Sequence, residues 1–297
     1  IFTIAESPLN AGVIWVGTDD GLIQVTRDGG KTWSNVRNKI TGVPLATWCY
    51  HIEASTFAEG TAYAVFDGHT RGDFNASIAK TEDYGNNWTL ISSDEIPTFV
   101  RCIQEDFVNQ NLLYAGTELG LYVSLDGGKK WSRFNKNLPP VAILHLELHP
   151  TTNDLILATH GRGIIIIDET RVFRAIRPEI MNKTLQFLPC DPFIMHEESS
   201  FGGTSSEHQF VGANPGNDAK IRYFLPKRHT FGKMSMEVFD AQNKLVCKLE
   251  PGKLKGINTV EWGFNTKSPR VAKGKTMSGG SSFVPRVPAG KYTVRIT

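Results

Sequence analysis

Three copies of one signature constrain this chain more than any other feature. They read Thr26-Arg27-Asp28-Gly29-Gly30-Lys31-Thr32-Trp33, Thr81-Glu82-Asp83-Tyr84-Gly85-Asn86-Asn87-Trp88 and Ser124-Leu125-Asp126-Gly127-Gly128-Lys129-Lys130-Trp131. The shared pattern is Ser/Thr-x-Asp-x-Gly-x-x-Trp. The aspartates stand 55 and 43 residues apart, the length of one four-stranded propeller blade. Each signature reads as a tight turn between two strands. Its Asp carboxylate accepts backbone N–H groups of its own turn, its Gly supplies a positive φ, and its Trp covers the turn with an apolar face. Asp28, Gly30, Trp33, Asp83, Gly85, Trp88, Asp126, Gly128 and Trp131 are therefore expected to be structural.

The spacing predicts strands over residues 1–5, 13–17, 22–26 and 32–36 in a first blade. A second blade spans 48–91, with an insertion at 67–74 between its middle strands. A third spans 99–134. A fourth begins near 142, with a strand over 155–159 and the isoleucine run 164–167 as a buried strand. There the signature has decayed: the run enters Asp168-Glu169-Thr170 without Gly or Trp. Residues 171–176 are predicted to supply its last strand. Four blades are at the lower limit of a closed propeller, so an arc of a larger one is expected. Such an arc exposes two apolar blade faces, and self-association through them is one remedy.

The composition changes after Pro178. Residues 179–218 read as a linker containing Gly202-Gly203-Thr204-Ser205-Ser206. Residues 219–297 carry short strands over 219–225, 234–238, 245–249, 258–262 and 291–296, and 268–282 is rich in Gly, Ser and Lys. The expected class is all-β: about four propeller blades over 1–178 and an immunoglobulin-like β-sandwich over 219–297.

The net charge of +2 implies no strongly charged partner. No basic stripe interleaved with aromatics argues for nucleic acid, and no apolar run reaches the length of a membrane span. Cys49, Cys102, Cys190 and Cys247 lack metal-type spacing and read as free, buried thiols. There is no phosphate-binding glycine loop and no Ser-His-Asp signature. No cofactor and no metal are expected.

The signature matches the Asp-box, or BNR repeat, of sialidases, xyloglucanases and sortilin-type ectodomains. The likeness extends to His51-Ile52-Glu53-Ala54-Ser55, Asp67 through Phe74, Tyr114-Ala115-Gly116-Thr117-Glu118 and Ala158-Thr159-His160-Gly161-Arg162-Gly163. These resemble the C-terminal part of large bacterial sortilin-like, BNR-repeat glycosyl-hydrolase-like proteins. Gly212-Ala213-Asn214-Pro215, Gly256 through Trp262 and Val287 through Arg295 resemble the trailing domain of that family. That domain is similar to the immunoglobulin-like module of flagellar hook-capping proteins. The resemblance implies an exported, bacterial protein. No catalytic motif of the family can be placed here residue by residue.

In a propeller, the loops opposite the Asp-box turns are the usual seat of function. That face collects Asp19, Asp20, Asp67, His69, Arg71, Asp73, Glu118, His160 and Arg162. Asp67, Asp73 and Glu118 are candidate acid/base carboxylates for a glycoside. Asp19, Asp20, His69, Arg71, His160 and Arg162 are candidate ligand-binding residues, and a solvated loop held by local turns is the alternative. A second set faces the central channel: His51, Glu53, Arg101, His145 and Glu147. The His-x-Glu spacing places each pair on one side of its strand, where they could form a binding or metal patch, and structural hydrogen bonding between blades is the preferred reading. Tyr50, Tyr63, Tyr84 and Tyr114 lack the arginine cluster that a sialidase needs. Three functions remain: an exported module recognising glycan or peptide, part of a glycoside hydrolase, or an assembly scaffold.

Overall fold

The computed structural model describes residues 1–190, 192–193, 216, 218–267 and 284–297. The expectations at 202–206, 212–215 and 268–282 fall outside these residues. The fold is all-β, built from several small antiparallel sheets, and it divides into two compact units, Ile1–Ile176 and Arg177–Thr297.

Unit 1 holds four sheets, each following chain order. Sheet 1 comprises β1 (Thr3–Ser7), β2 (Asn10–Gly17), β3 (Ile23–Thr26) and β4 (Ser34–Asn35). Sheet 2 comprises β5 (Trp48–Ala54), β6 (Ala62–Asp67), β7 (Ser77–Thr81) and β8 (Thr89–Leu90). Sheet 3 comprises β9 (Val100–Glu105), β10 (Leu113–Thr117), β11 (Gly120–Ser124) and β12 (Ser132–Phe134). Sheet 4 has three strands: β13 (Ile143–Leu148), β14 (Leu155–Thr159) and β15 (Ile164–Ile167). Their first strands lie side by side, β1 against β5, β5 against β9 and β9 against β13.

Period-two alternation gives every inner sheet two apolar faces. Trp15, Ile23 and Val25 of sheet 1 meet Ile52, Ala62 and Ala64 of sheet 2. Tyr63, Val65 and Ile78 of sheet 2 meet Ile103, Leu113 and Ala115 of sheet 3. Tyr114, Leu121 and Val123 of sheet 3 meet Leu146, Leu155 and Leu157 of sheet 4. The cores therefore lie between successive sheets.

The three signatures form the expected turns. Asp28 accepts Thr32 N–H at 2.9 Å and Thr32 Oγ1 at 2.6 Å, and Thr26 Oγ1 donates to it at 2.8 Å. Asp83 repeats this with Asn87 N–H at 2.8 Å and Thr81 Oγ1 at 3.0 Å, and Asp126 with Lys130 N–H at 2.9 Å and Ser124 Oγ at 3.0 Å. The Thr32 and Asn87 bonds, with those from Thr26 and Thr81, hold the Asp28 and Asp83 carboxyls below the usual range. Gly30, Gly85 and Gly128 all take positive φ, between 81° and 91°. The tryptophans diverge. Trp33 and Trp88 donate Nε1 to the glycine carbonyl of their own box, at 3.1 Å each. Trp131 instead donates to Ile91 O of the preceding sheet at 2.8 Å, and its backbone N–H donates to Glu95 Oε2.

Three expectations are corrected here. Residues 171–176 do not form a strand; Thr170–Ala175 is a 3-10 turn. Without an Asp-box nothing folds this segment back onto β15. Arg174 is drawn instead to the buried Asp106, 2.8–2.9 Å away, and to Asn153 Oδ1 at 2.7 Å. The isoleucine run is a strand but not a buried one, because Ile164 and Ile166 face outward from the last sheet of the unit. All four cysteines are free, as read, but Cys190 is exposed.

Among the described residues, unit 2 has two three-stranded sheets. One is ordered β16 (Gln186–Phe187), β17 (Ala219–Leu225), β20 (Gly256–Trp262); the other β19 (Leu245–Leu249), β18 (Met236–Phe239), β21 (Thr293–Ile296). Tyr223 and Leu225 of the first share a core with Met236, Leu249 and Val294 of the second. β16 lies within the stretch expected as linker. It pairs there with β17, and the buried Leu188 continues the pairing through its N–H to Arg222 O at 2.9 Å.

Candidate functional site

The insertion after β6 begins with a buried carboxylate. Asp67 ends the strand with no side-chain exposure. Its Oδ1 accepts the His69 backbone N–H at 2.9 Å and lies 2.6 Å from His69 Nδ1. This is an Asx-type turn, and it launches the 3-10 turn His69–Arg71. The His69 ring stacks on Phe99, 4.9 Å between centroids and 15° between planes.

The opposing charge comes from sheet 3. Arg101 on β9 lies 3.5 Å from Asp67 Oδ2 through Nη1, and its Nη2 donates to Glu118 Oε2 at 3.2 Å. Its guanidinium carbon sits 4.9 Å from the Phe99 ring centroid and 5.2 Å from that of Tyr50, within reach of cation–π attraction. Burial works against this charge, but bonds to Glu118 and Tyr50 and the Asp67 charge outweigh it, so its pKa is raised. Arg101 remains a cation framed by two carboxylates and two aromatic faces.

Aromatic surface continues from this group. Trp48 and Tyr50 lie on one face of β5 at period-two spacing, 4.9 Å apart, and Phe2 meets both at 4.5 and 5.2 Å. Phe2 and Phe74 are about half exposed, at 49% and 58%. Trp48 Nε1, Asp67 Oδ2 and Arg101 Nε are buried polar atoms without a hydrogen-bond partner among the described residues. Such atoms are uncommon in folded proteins, and here three adjoin one patch.

Of the loop-face candidates, Asp67, His69 and Glu118 are brought together, with Arg101 joining them. Asp73 is spent locally, its Oδ1 accepting Asn75 N–H at 3.1 Å and Asn75 Nδ2 at 2.8 Å. Asp20 accepts Thr18 Oγ1. Asp19, Asp20, Arg71, His160 and Arg162 are exposed, and no hydrogen bond or ion pair joins them to Asp67. Sequence reasoning weighed Tyr50 only as a sialidase nucleophile and missed Trp48, Phe74 and Phe99. The alternation Trp48-x-Tyr50 beside a bulky insertion was the available signal.

The second set converges separately. His51 and His145 approach at 5.9 Å between ring centroids, and His145 Nε2 lies 3.9 Å from Glu147 Oε2. Gln104 Nε2 donates to Glu53 Oε1 at 2.6 Å. Burial and the neighbouring His145 pull His51 down to about 4. Burial, with Glu105 and Glu147 adding repulsion, pushes Glu53 up to about 8. Neither is charged in the way a salt-bridged His–Glu pair would be near neutrality. No group of three metal-type ligands exists among the described residues, and none of their helices is long and apolar enough to cross a membrane.

No protein-family model and no curated protein matches the chain. Among solved structures it has a distant likeness to carbohydrate-active GH74 proteins. The Niastella koreensis GH74 enzyme matches 56% of this chain and 22% of its own, at 20% identity and a TM-score of 0.43. The Xanthomonas campestris GH74 xyloglucanase matches 55% and 27%, at 12% identity and 0.41. YCF48 bound to D1 peptide matches 57% and 51%, at 16% identity and 0.43. This chain thus covers less than two thirds of each of those chains.

Proposed function

We propose that unit 1 is an arc of an Asp-box β-propeller acting as an exported recognition module, with the Arg101 patch as its ligand site and glycan as its ligand. Unit 2 is read as an immunoglobulin-like spacer or anchor. Support for the arc comes from three box turns, four chain-ordered meanders with adjacent first strands, and cores between successive sheets. Export follows from the family resemblance of the motifs.

One observation carries the binding site: a cation fixed between carboxylates, opening onto exposed aromatic rings. Flat apolar rings beside fixed polar groups suit a sugar face and its hydroxyls. The same geometry disfavours hydrolysis. Asp67 is enclosed and bound to His69 and Arg101, Asp73 closes its own turn, and Glu118 bonds Arg101. A hydrolase needs one carboxyl kept as acid and another free as base or nucleophile.

The test is a glycan array followed by calorimetry on the purified chain, alongside a turnover assay. Tyr50→Ala should weaken binding at least about tenfold, a loss of one aromatic contact, while the thermal transition is kept. Unchanged binding in Tyr50→Ala and Phe74→Ala would refute the site. Hydrolysis abolished by Asp67→Asn or Glu118→Gln would replace the module with an enzyme.

A further inference from the structure

At Ile164 the outward face of sheet 4 repeats a position that is buried in each of the three earlier sheets. Cross-strand pairing aligns Ile164 with Ile23, Ile78 and Leu121 of the earlier sheets, and Ile166 with Val25, Lys80 and Val123. Ile23, Ile78 and Leu121 are all at 0% exposure, because the next sheet covers them. Ile164 is 71% exposed and Ile166 57%. Ile156, opposite Ile166, extends the same face.

The other end of the unit carries the complement. Ile4 of β1 stands in the register of Ile52, Ile103 and Leu146, the residues with which sheets 2, 3 and 4 each press on their predecessor. Those three are buried; Ile4 is 63% exposed. The box glycines report the same difference. A Cβ at Gly85 would meet Val36 at 2.9 Å, and one at Gly128 would meet Ile91 at 2.8 Å, both at the outer strand of the preceding sheet. A Cβ at Gly30 meets only its own Trp33, at 3.7 Å.

One seam, that between sheets 2 and 3, also carries a carboxylate. Glu105 of sheet 3 is received by Ser55 Oγ at 2.7 Å, Thr56 N–H at 3.0 Å and Tyr63 OH at 2.8 Å, all from sheet 2. Glu6 occupies the place of Glu105 on sheet 1, and His149 the place of Ser55 on sheet 4; both are exposed.

We propose that the chain pairs head to tail with a second copy, sheet 1 of one covering the outward face of sheet 4 of the other, with Glu6 set against His149. The chain carries both halves of the contact. A head-to-tail contact polymerises unless it closes. Made twice about a two-fold axis, it closes two sets of four sheets into one ring, within the usual range of blade numbers. This rests on the arc reading, but not on any ligand.

Sedimentation velocity of the full chain over about 1–100 µM, the range of moderate affinities, should show a species near twice 32.9 kDa. Ile4→Lys alone, and Ile164→Lys with Ile166→Lys, should each give monomer with an unchanged circular dichroism spectrum, since these side chains are exposed. A mixture of the two variants should recover a dimer through the one remaining pair of unaltered faces. Dimer in every variant would place the interface elsewhere and overturn the proposal. Monomer in the wild type would overturn it as well. Protected amides at 164–167 in that monomer would mean that another part of the same chain is the cover. Glycan binding of the Ile164→Lys, Ile166→Lys monomer separates this failure from failure of the ligand site.

Discussion

The two ends of unit 1 are held by different kinds of contact. At the end that carries the three signatures each aspartate closes its own turn: Asp28, Asp83 and Asp126 bond residues two and four positions away. At the opposite end the contacts are long-range: Asp67 of sheet 2 reaches Arg101 of sheet 3, and Arg101 reaches Glu118, seventeen residues further on. A self-closing turn tolerates change around it and fixes strand register. A patch assembled from several loops gains its properties only when the sheets are in place. The first is suited to scaffold and the second to recognition.

Breaking the long-range end should have the largest effect. Arg101→Met leaves the enclosed Asp67 carboxylate without its cation, and removal of one partner of a buried pair costs about 3 kcal/mol or more. Chemical denaturation should show this loss together with loss of glycan binding. At the box end, Gly128→Ala combines a positive φ with a Cβ 2.8 Å from Ile91, and overpacking plus backbone strain should cost about 2–3 kcal/mol. Gly30→Ala has the same φ problem without the clash, so about 1 kcal/mol is expected. Equal losses at Gly30 and Gly128 would contradict the idea that box glycines seat one sheet on the next. Asp83→Ala should cost about 1 kcal/mol, as loss of a capping side chain does, and leave binding intact.

A separate effect is a pH dependence that arises between the two ends. Glu53 rises from 4.5 to about 8 in the fold, so the folded state holds a proton that the unfolded state has released. Stability from this group is present at low pH and lost as pH climbs from about 4.5 to 8. His51, lowered from 6.5 to about 4, acts in the opposite sense and gains stability as pH rises from about 4 to 6.5. The two oppose each other below 6.5 and leave a net decline between 6.5 and 8. Glu53→Gln should flatten that decline in denaturation midpoints; an unchanged slope would remove Glu53 as its source.

Much of the scaffold was legible because its signals are local. Thr26, Asp28, Gly30 and Thr32 carry the hydrogen bonds of their turn, and β2, β6, β10 and β14 announce themselves by short apolar runs of strand length. The site was legible only in part. Asp67, His69 and Glu118 could be placed on the loop face by topology, but Arg101 was assigned to the channel. A bulge beside each first strand, at Cys49/His51 and Gly116/Thr117, shifts the simple alternation on which that assignment depended. Asp19, His160 and Arg162 shared the face with Asp67 without sharing its contacts, since composition and register say nothing about loop reach.

Local chemistry was enough to establish the turns, the strand order within each sheet and the self-closing bonds of Asp28, Asp83 and Asp126, because every interacting group lies within a few residues. The framing of Arg101 by Asp67, Glu118, Tyr50 and Phe99, the opposite pKa shifts of His51 and Glu53, and the exposure of Ile164 depend on which sheet lies beside which. Burial and charge proximity are properties of neighbours in space, so only the folded arrangement decided them.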